Sequence, residues 1–317
     1  MASRKLEEQL ERLRLLRSSP PDAAAISDIR KSLQDRSNLV VAEAAKTATQ
    51  LRMVELIPDL LAAYSRLFEN PAKSDPKCWG KTAIIRALTA MDYSEAQPFL
   101  RGSTHVQMEP VWGGQEDAAG LLRSNCLLGL PQCSDIRRSD VFRCLVDALA
   151  DPLESVRQET VRTIEQMSGD EAALLLRLKA RGGDREAAVT GLVFDGLLNL
   201  EAEKGLTFVQ EFLKSADTEI RDEAALAIGG WRHPKGVQVL IETWRETIDR
   251  SFRSTLLRAI SSSREESGLE FLLSLVREAD EPQAASAQEA LELHSGSPEI
   301  QSRIDLAKDF RLRRGSV

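Results

Sequence analysis

A helical motif that recurs along the chain constrains this sequence more than any other feature. SVRQETVRTI at Ser155 to Ile164, EIRDEAALAI at Glu219 to Ile228 and SFRSTLLRAI at Ser251 to Ile260 follow one template: an apolar residue, then Arg, then small or apolar residues at offsets four, seven and eight. Their apolar anchors are Val156, Ile220 and Phe252; Leu122 and Val189 open further matches, and Val41, Gly80 and Gln283 open weaker ones. Successive anchors lie 39, 42, 34, 33, 31, 32 and 31 residues apart. A period above thirty residues, held this steadily, describes units that stack in a line, each touching only its neighbours.

Offsets zero, four, seven and eight fall on one face of a helix, so each anchor opens an amphipathic helix. Small residues on that face, such as Ala224 and Ala227, let neighbouring helices approach closely. Asp75, Asp117, Asp151, Asp184, Asp217, Asp249 and Asp280 stand three to five positions ahead of an anchor. A carboxylate there accepts backbone N–H bonds and complements the positive end of the helix dipole. Second apolar helices lie between the anchors, as in DVFRCLVDAL, EAALLLRLKA and GVQVLIETWR. Each unit is therefore a helical hairpin that buries its apolar face only by stacking. The expected fold is all-α: a right-handed solenoid, or superhelix, of about eight hairpins. Aromatics at 5% with few turn residues argue against a β-sandwich of this length.

The pattern of Asp, a short spacer, Val-Arg and spaced small residues resembles HEAT repeats, in particular the short variety named after phycobilisome-lyase proteins. Ser155 to Ile164 and Glu219 to Ile228 carry the match most closely, and the resemblance covers roughly residues 22 to 296. It implies that Arg123, Arg157, Arg221 and Arg253 form a structural ladder with turn aspartates, with Lys81 in a weaker unit. Thr190 interrupts that series, and Ala42 and Ala284 lack the base at the ends. The alternative for these arginines is a ligand-facing basic stripe.

Three regions depart from the repeat. Residues 1–19 form an amphipathic helix with a stripe of Leu6, Leu10, Leu13 and Leu16, read as a cap on the first unit or as a docking helix, and Ser18-Ser19-Pro20-Pro21 ends it. Residues 20–317 make the solenoid, interrupted by an irregular insertion at 102–117, GSTHVQMEPVWGGQED. His105, Met108, Glu109 and Trp112 concentrate there an imidazole, a thioether, a carboxylate and an indole, while Pro110 and Gly113-Gly114 give the loop definition. Insertions in such arrays carry binding or seal packing gaps, and both readings stand for this one. The third region, residues 176–186, clusters Arg177, Lys179, Arg181 and Arg185 about a glycine stop, favourable at a helix C-terminus and also suited to an acidic contact.

Composition narrows the function. Forty-two basic against forty-nine acidic residues leave a net charge of −7, so no nucleic-acid partner is expected. No apolar run approaches the roughly 18 residues of a membrane span. The charged start, MASRKLEEQLERLRLL, is unlike a secretory signal, and a cytoplasmic protein is expected. Cys78, Cys126, Cys133 and Cys144 contain no C-x-x-C pair, and His105, His233 and His294 lie far apart, so neither a metal nor another cofactor is expected. The leading expectation is a non-catalytic scaffold or adaptor that holds a protein or peptide partner on the concave solenoid surface. The residues assigned to partner binding are His105, Met108, Glu109, Trp112, Glu159, Arg162, Glu223 and Arg258. The resemblance also admits an enzyme, either bilin-lyase-like or alkylpurine-DNA-glycosylase-like. The partner's identity and the oligomeric state are not encoded in any motif.

Overall fold

A computed structural model describes residues 2–18 and 22–314; the stretch from Ser19 to Pro21 within the expected end of the first helix lies outside them. The chain is an all-α solenoid, and every anchor of the sequence repeat falls near the start of its own helix. These anchor helices are α3 (Asn38–Gln50), α6 (Trp79–Ala90), α8 (Gly120–Gly129), α10 (Glu154–Met167), α12 (Ala187–Glu201), α14 (Thr218–Gly230), α16 (Arg250–Ser262) and α18 (Glu281–Leu291). Each is preceded by a partner helix: α2 (Ala23–Leu33), α4 (Ile57–Arg66), α7 (Gln97–Ser103), α9 (Arg138–Ala148), α11 (Asp170–Gly182), α13 (Glu203–Val209), α15 (Pro234–Glu246) and α17 (Glu266–Glu278). A helix α1 (Ala2–Leu15) precedes the first pair, α19 (Pro298–Arg314) follows the last, and a single turn α5 (Pro71–Ser74) leads into α6.

The chain divides into two compact units, residues 1–163 and 164–317. In the first unit α3 packs along α6 and α6 along α8, with α1 against α3. In the second, α12, α14, α16 and α18 pack in succession, and α19 lies on α17.

The periodic face is the core. Val156, Thr160, Thr163 and Ile164 are all buried, as are Phe252, Leu256, Ala259 and Ile260. Close approach demands small residues at some of these positions: a Cβ on Gly229 of α14 would lie 2.2 Å from the carbonyl oxygen of Ala259 in α16. The seven aspartates ahead of the anchors all accept backbone N–H bonds at the turn into their helix. Asp217 takes those of Glu219 and Ile220, Asp249 those of Ser251 and Phe252, and Asp280 that of Gln283. Asp75, Asp117, Asp151 and Asp184 do the same for Gly80 and Lys81, Ala119, Leu153 and Glu186. No helix among the described residues is long and apolar enough to cross a membrane.

The insertion differs from the irregular loop expected. Residues 102 and 103 complete α7, and β1 (Met108–Val111) pairs antiparallel with β2 (Gly114–Asp117), Met108 opposite Asp117 and Val111 opposite Gly114. Trp112 and Gly113 form the two-residue turn, and the φ of +85° at Gly113 explains the glycine, since this conformation is strained for other residues.

Candidate functional site

The hairpin projects from the first unit on a buried polar base. Lys81, on α6, and Asp75, ahead of it, are both 0% exposed, and Lys81 Nζ lies 3.2 Å from Asp75 Oδ2. The ammonium also donates to Leu67 O at 3.2 Å and to Gln107 Oε1 at 3.0 Å, so all three of its protons find an acceptor. Asp75 accepts from Gly80 N, Lys81 N and Asn38 Nδ2 besides. Gln107 is the link to the hairpin: its amide donates to Asp75 O at 2.8 Å and to Glu109 Oε1 at 2.6 Å. Glu109 accepts from Lys77 N at 2.7 Å. Lys77 and Cys78 both have φ above +50°, a left-handed pair that brings these donors round to the hairpin.

The other strand is held as firmly. Arg123 on α8 donates to Asp117 Oδ2 at 2.7 Å and to His105 O at 2.8 Å, and grips both oxygens of Asp151 at 2.7 and 3.0 Å. Burial pushes the Asp117 carboxyl up, but N–H bonds from Gln107 and Ala119 and the Arg123 guanidinium outweigh it and hold the carboxyl below its ordinary range. His105 lies edge-on to Phe68 with its Nε2 3.1 Å from Gln107 Oε1. Because that oxygen is an acceptor, Nε2 carries the proton. Burial lowers the imidazole pKa and so favours the neutral ring.

From this base rises a finger with exposed apolar residues on its first strand and tip and with Gln115 and Glu116 exposed on its second strand. Val106, Met108 and Val111 are exposed, and Trp112 at the tip is fully exposed, at 104%. Of the four insertion residues assigned to binding, Met108 and Trp112 thus face solvent, while His105 and Glu109 turn inward to brace the base.

Beside the finger, the anchor helices of the first unit carry two hollows of about 590 and about 400 Å³ that share Arg86 and Leu121. Trp79, at the start of α6, is 47% exposed and Leu121, at the start of α8, 53% exposed. The ammonium of Lys77 sits 5.6 Å from the Trp79 ring centroid. Glu159 and Arg162 line the smaller hollow and pair with each other at 3.3 Å. Glu223 and Arg258 belong to the second unit, where Glu223 lies against Gly191 of α12 and Arg258 is exposed.

The four ladder arginines have unlike contacts. Arg123 bridges the aspartates of its own and the next turn, and Arg221 reaches Asp249 of the next turn at 2.8 Å while lying over the Phe252 ring. Arg157 donates to the carbonyls of Asp151 and Pro152. Arg253 departs from the expected ladder: it donates to Thr247 O, stacks on Trp244 and has no ion pair among the described residues. Its neighbour in the next turn, Asp280, caps α18 instead. The basic cluster about residue 180 is internally satisfied. Arg177 pairs with Glu201, Lys179 with Asp184 and Arg181 with Glu211, and the two arginines lie over Phe208.

The four thiols are poor nucleophiles. Burial pushes Cys78 up to about 12 and Cys133 to about 11, and raises Cys126 and Cys144, so all stay protonated at neutral pH. Among the described residues no group of three or more His, Cys, Asp or Glu side chains could hold a metal ion. Sequence reasoning placed Asp75 as a cap and Lys81 as a weak ladder member, and assigned no site role to Gln107, Trp79, Thr82, Arg86 or Leu121. An exposed tryptophan at the first position of an anchor helix was the available signal for the hollow.

Residues 206–292 match the family model for HEAT repeats. Among curated proteins no sequence match was found. Several solved structures are similar. Human deoxyhypusine hydroxylase, in complex with glycerol, shares 20% identity over 82% of this chain and 91% of its own, with a TM-score of 0.32. The Escherichia coli protein YibA shares 13% over 88% and 95%, with a TM-score of 0.46. The complex of CpcE and CpcF of phycocyanin lyase from Nostoc sp. shares 16% over 90% and 94%, with a TM-score of 0.33.

Proposed function

We propose that this HEAT-repeat protein is a non-catalytic scaffold or adaptor that holds a protein or peptide partner through the hairpin finger of its first unit. The observation that carries the reading is Trp112, fully exposed at the tip of a hairpin whose base is locked by the Lys81–Asp75–Gln107 and Arg123–Asp117–Asp151 networks. A tryptophan left wholly in water contributes nothing to its own fold, and a braced support lowers the ordering cost of using it in a contact. Val111, its neighbour on β1, adds exposed apolar surface beside it. The protonated thiols favour a binding role over nucleophilic chemistry.

The test compares affinity capture from the native host by the wild-type chain and by Trp112→Ala, quantified by mass spectrometry. A specific partner should be lost from the variant, with binding weaker by about 2 kcal/mol or more, roughly thirty-fold in Kd, and an unchanged melting temperature. Equal recovery of every captured protein by both chains sinks the reading.

A further inference from the structure

We infer that the trough on the anchor helices of the first unit, running across α3, α6, α8 and α10, is a docking site for an acidic, amphipathic helical segment of a partner protein. The inference rests on the scaffold reading only in taking the partner to be a polypeptide, and it uses no residue of the hairpin.

The two hollows of the trough, about 590 and about 400 Å³, adjoin at Arg86 and Leu121, which line both. On α6 the residues facing it are Trp79, Thr82, Ala83 and Arg86, a single stripe at helical spacing. Trp79 and Leu121 leave about half of their apolar surfaces in water, which an apolar side chain of the partner would cover. Thr82 is an independent pointer to a ligand. It is only 5% exposed, yet its Oγ1 has no hydrogen-bond partner. A native structure rarely buries a hydroxyl in this state, and a partner that displaces the side chains over it would supply the missing donor or acceptor.

Charge selects the partner. Arg14, Arg17, Lys46, Arg86 and Arg162 line the trough against only Glu43 and Glu159. Arg17 and Lys46 share the one Glu43 carboxylate, Arg14 divides itself between Glu43 and Glu11 outside the trough, and Arg86 donates to the neutral Asn125. Positive charge is thus in excess here on a chain whose net charge is −7. A patch opposite in sign to the whole molecule steers an acidic segment to this face and away from the rest.

The floor decides the conformation. It consists of side chains on helices whose own backbones are paired, and it offers no sheet edge. An extended peptide would leave its backbone unpaired in the trough, whereas a helix arrives with those bonds made. Four neighbouring helices at about 8–10 Å spacing span roughly 24–30 Å, the length of about 16–20 helical residues.

The test selects peptides of about 16–20 residues from a random phage library on the full-length protein, then measures the labelled winners by fluorescence anisotropy. Winners should carry net negative charge and apolar residues at i, i+3, i+4 and i+7, and should gain helicity on binding. Their Kd should rise about tenfold or more with Arg86→Glu or Leu121→Ser, both exposed positions where melting should not change. Raising salt from about 50 to about 300 mM should weaken them, and Trp112→Ala should not. Failure to enrich any peptide, enrichment of neutral or basic ones, or indifference to Arg86→Glu overturns the inference. Winners lost with Trp112→Ala but not with the trough variants overturn it too, while leaving the hairpin reading intact.

Discussion

Replacing Lys81 by methionine removes one charge from the base of the hairpin and little volume. In the wild type the ammonium has three acceptors: Asp75 Oδ2, Leu67 O and Gln107 Oε1. Breaking one side of a fully buried ion pair costs about 3–5 kcal/mol, because the remaining charge is stranded. Asp75 keeps three donors, from Gly80 N, Lys81 N and Asn38 Nδ2, which places the loss near the lower end, about 3 kcal/mol. For a cooperative unit of this size each kcal/mol is worth roughly 2–4 °C, so the first unit should melt about 6–12 °C lower. Thermal unfolding followed by far-UV circular dichroism reads this directly. Hydrogen exchange adds the location: the Gln107 and Ala118 amides, bonded to Asp117 Oδ1 and Gln107 O, should exchange faster than those of α14 and α16. A loss under about 1 kcal/mol with unchanged exchange at the hairpin would refute the claim that the pair locks the base.

Other perturbations probe different parts of the chain. Burial, reinforced by Glu165 and Glu223, lifts the Asp195 carboxyl to about 6 from an ordinary 3.8. Its folded pKa lies above the unfolded one, so the ionised form penalises folding above pH 6 and the penalty fades as pH falls toward 3.8. Asp195→Asn should therefore be more stable than wild type at pH 7 by up to about 3 kcal/mol; a pH-independent difference in melting temperature contradicts the assignment. Gly229→Ala drives a methyl into the backbone of α16 and should cost about 1–3 kcal/mol or more, measured by urea unfolding of the second unit. Thr82→Val removes an unpartnered buried hydroxyl and should melt no lower than wild type, in contrast to Thr160→Val, whose hydroxyl bonds Val156 O.

The repeat was fully legible in the sequence because its cause is local. The residues at offsets zero, four, seven and eight make a helix face, small ones such as Ala224 and Gly229 permit contact with the next helix, and an aspartate three to five positions ahead caps the turn. Neighbouring units enforce the same pattern again and again, so one template found all eight anchor helices. The ladder was only partly legible. Arginine at the second position is common to Arg123, Arg157, Arg221 and Arg253, but its acceptor depends on the turn it meets, and a nearby Trp244 ring and Thr247 carbonyl take Arg253 away from any carboxylate.

The insertion marks the boundary between the two kinds of information. Its composition announced an unusual segment, and Gly113-Gly114 a turn. Which of its side chains would face out was settled by partners distant in sequence: Asp75 and Lys81 draw Gln107 inward, Lys77 holds Glu109, Phe68 receives His105, and nothing receives Trp112. Helix positions and capping follow from forces that act within a few residues, and the amino-acid order states them outright. The trough and the braced base of the finger come from residues far apart in sequence, such as Lys81 and Gln107 at 26 positions, that meet only when the repeats stack; the Asp75–Lys81 pair itself is close in sequence, and only its burial is decided by the tertiary structure.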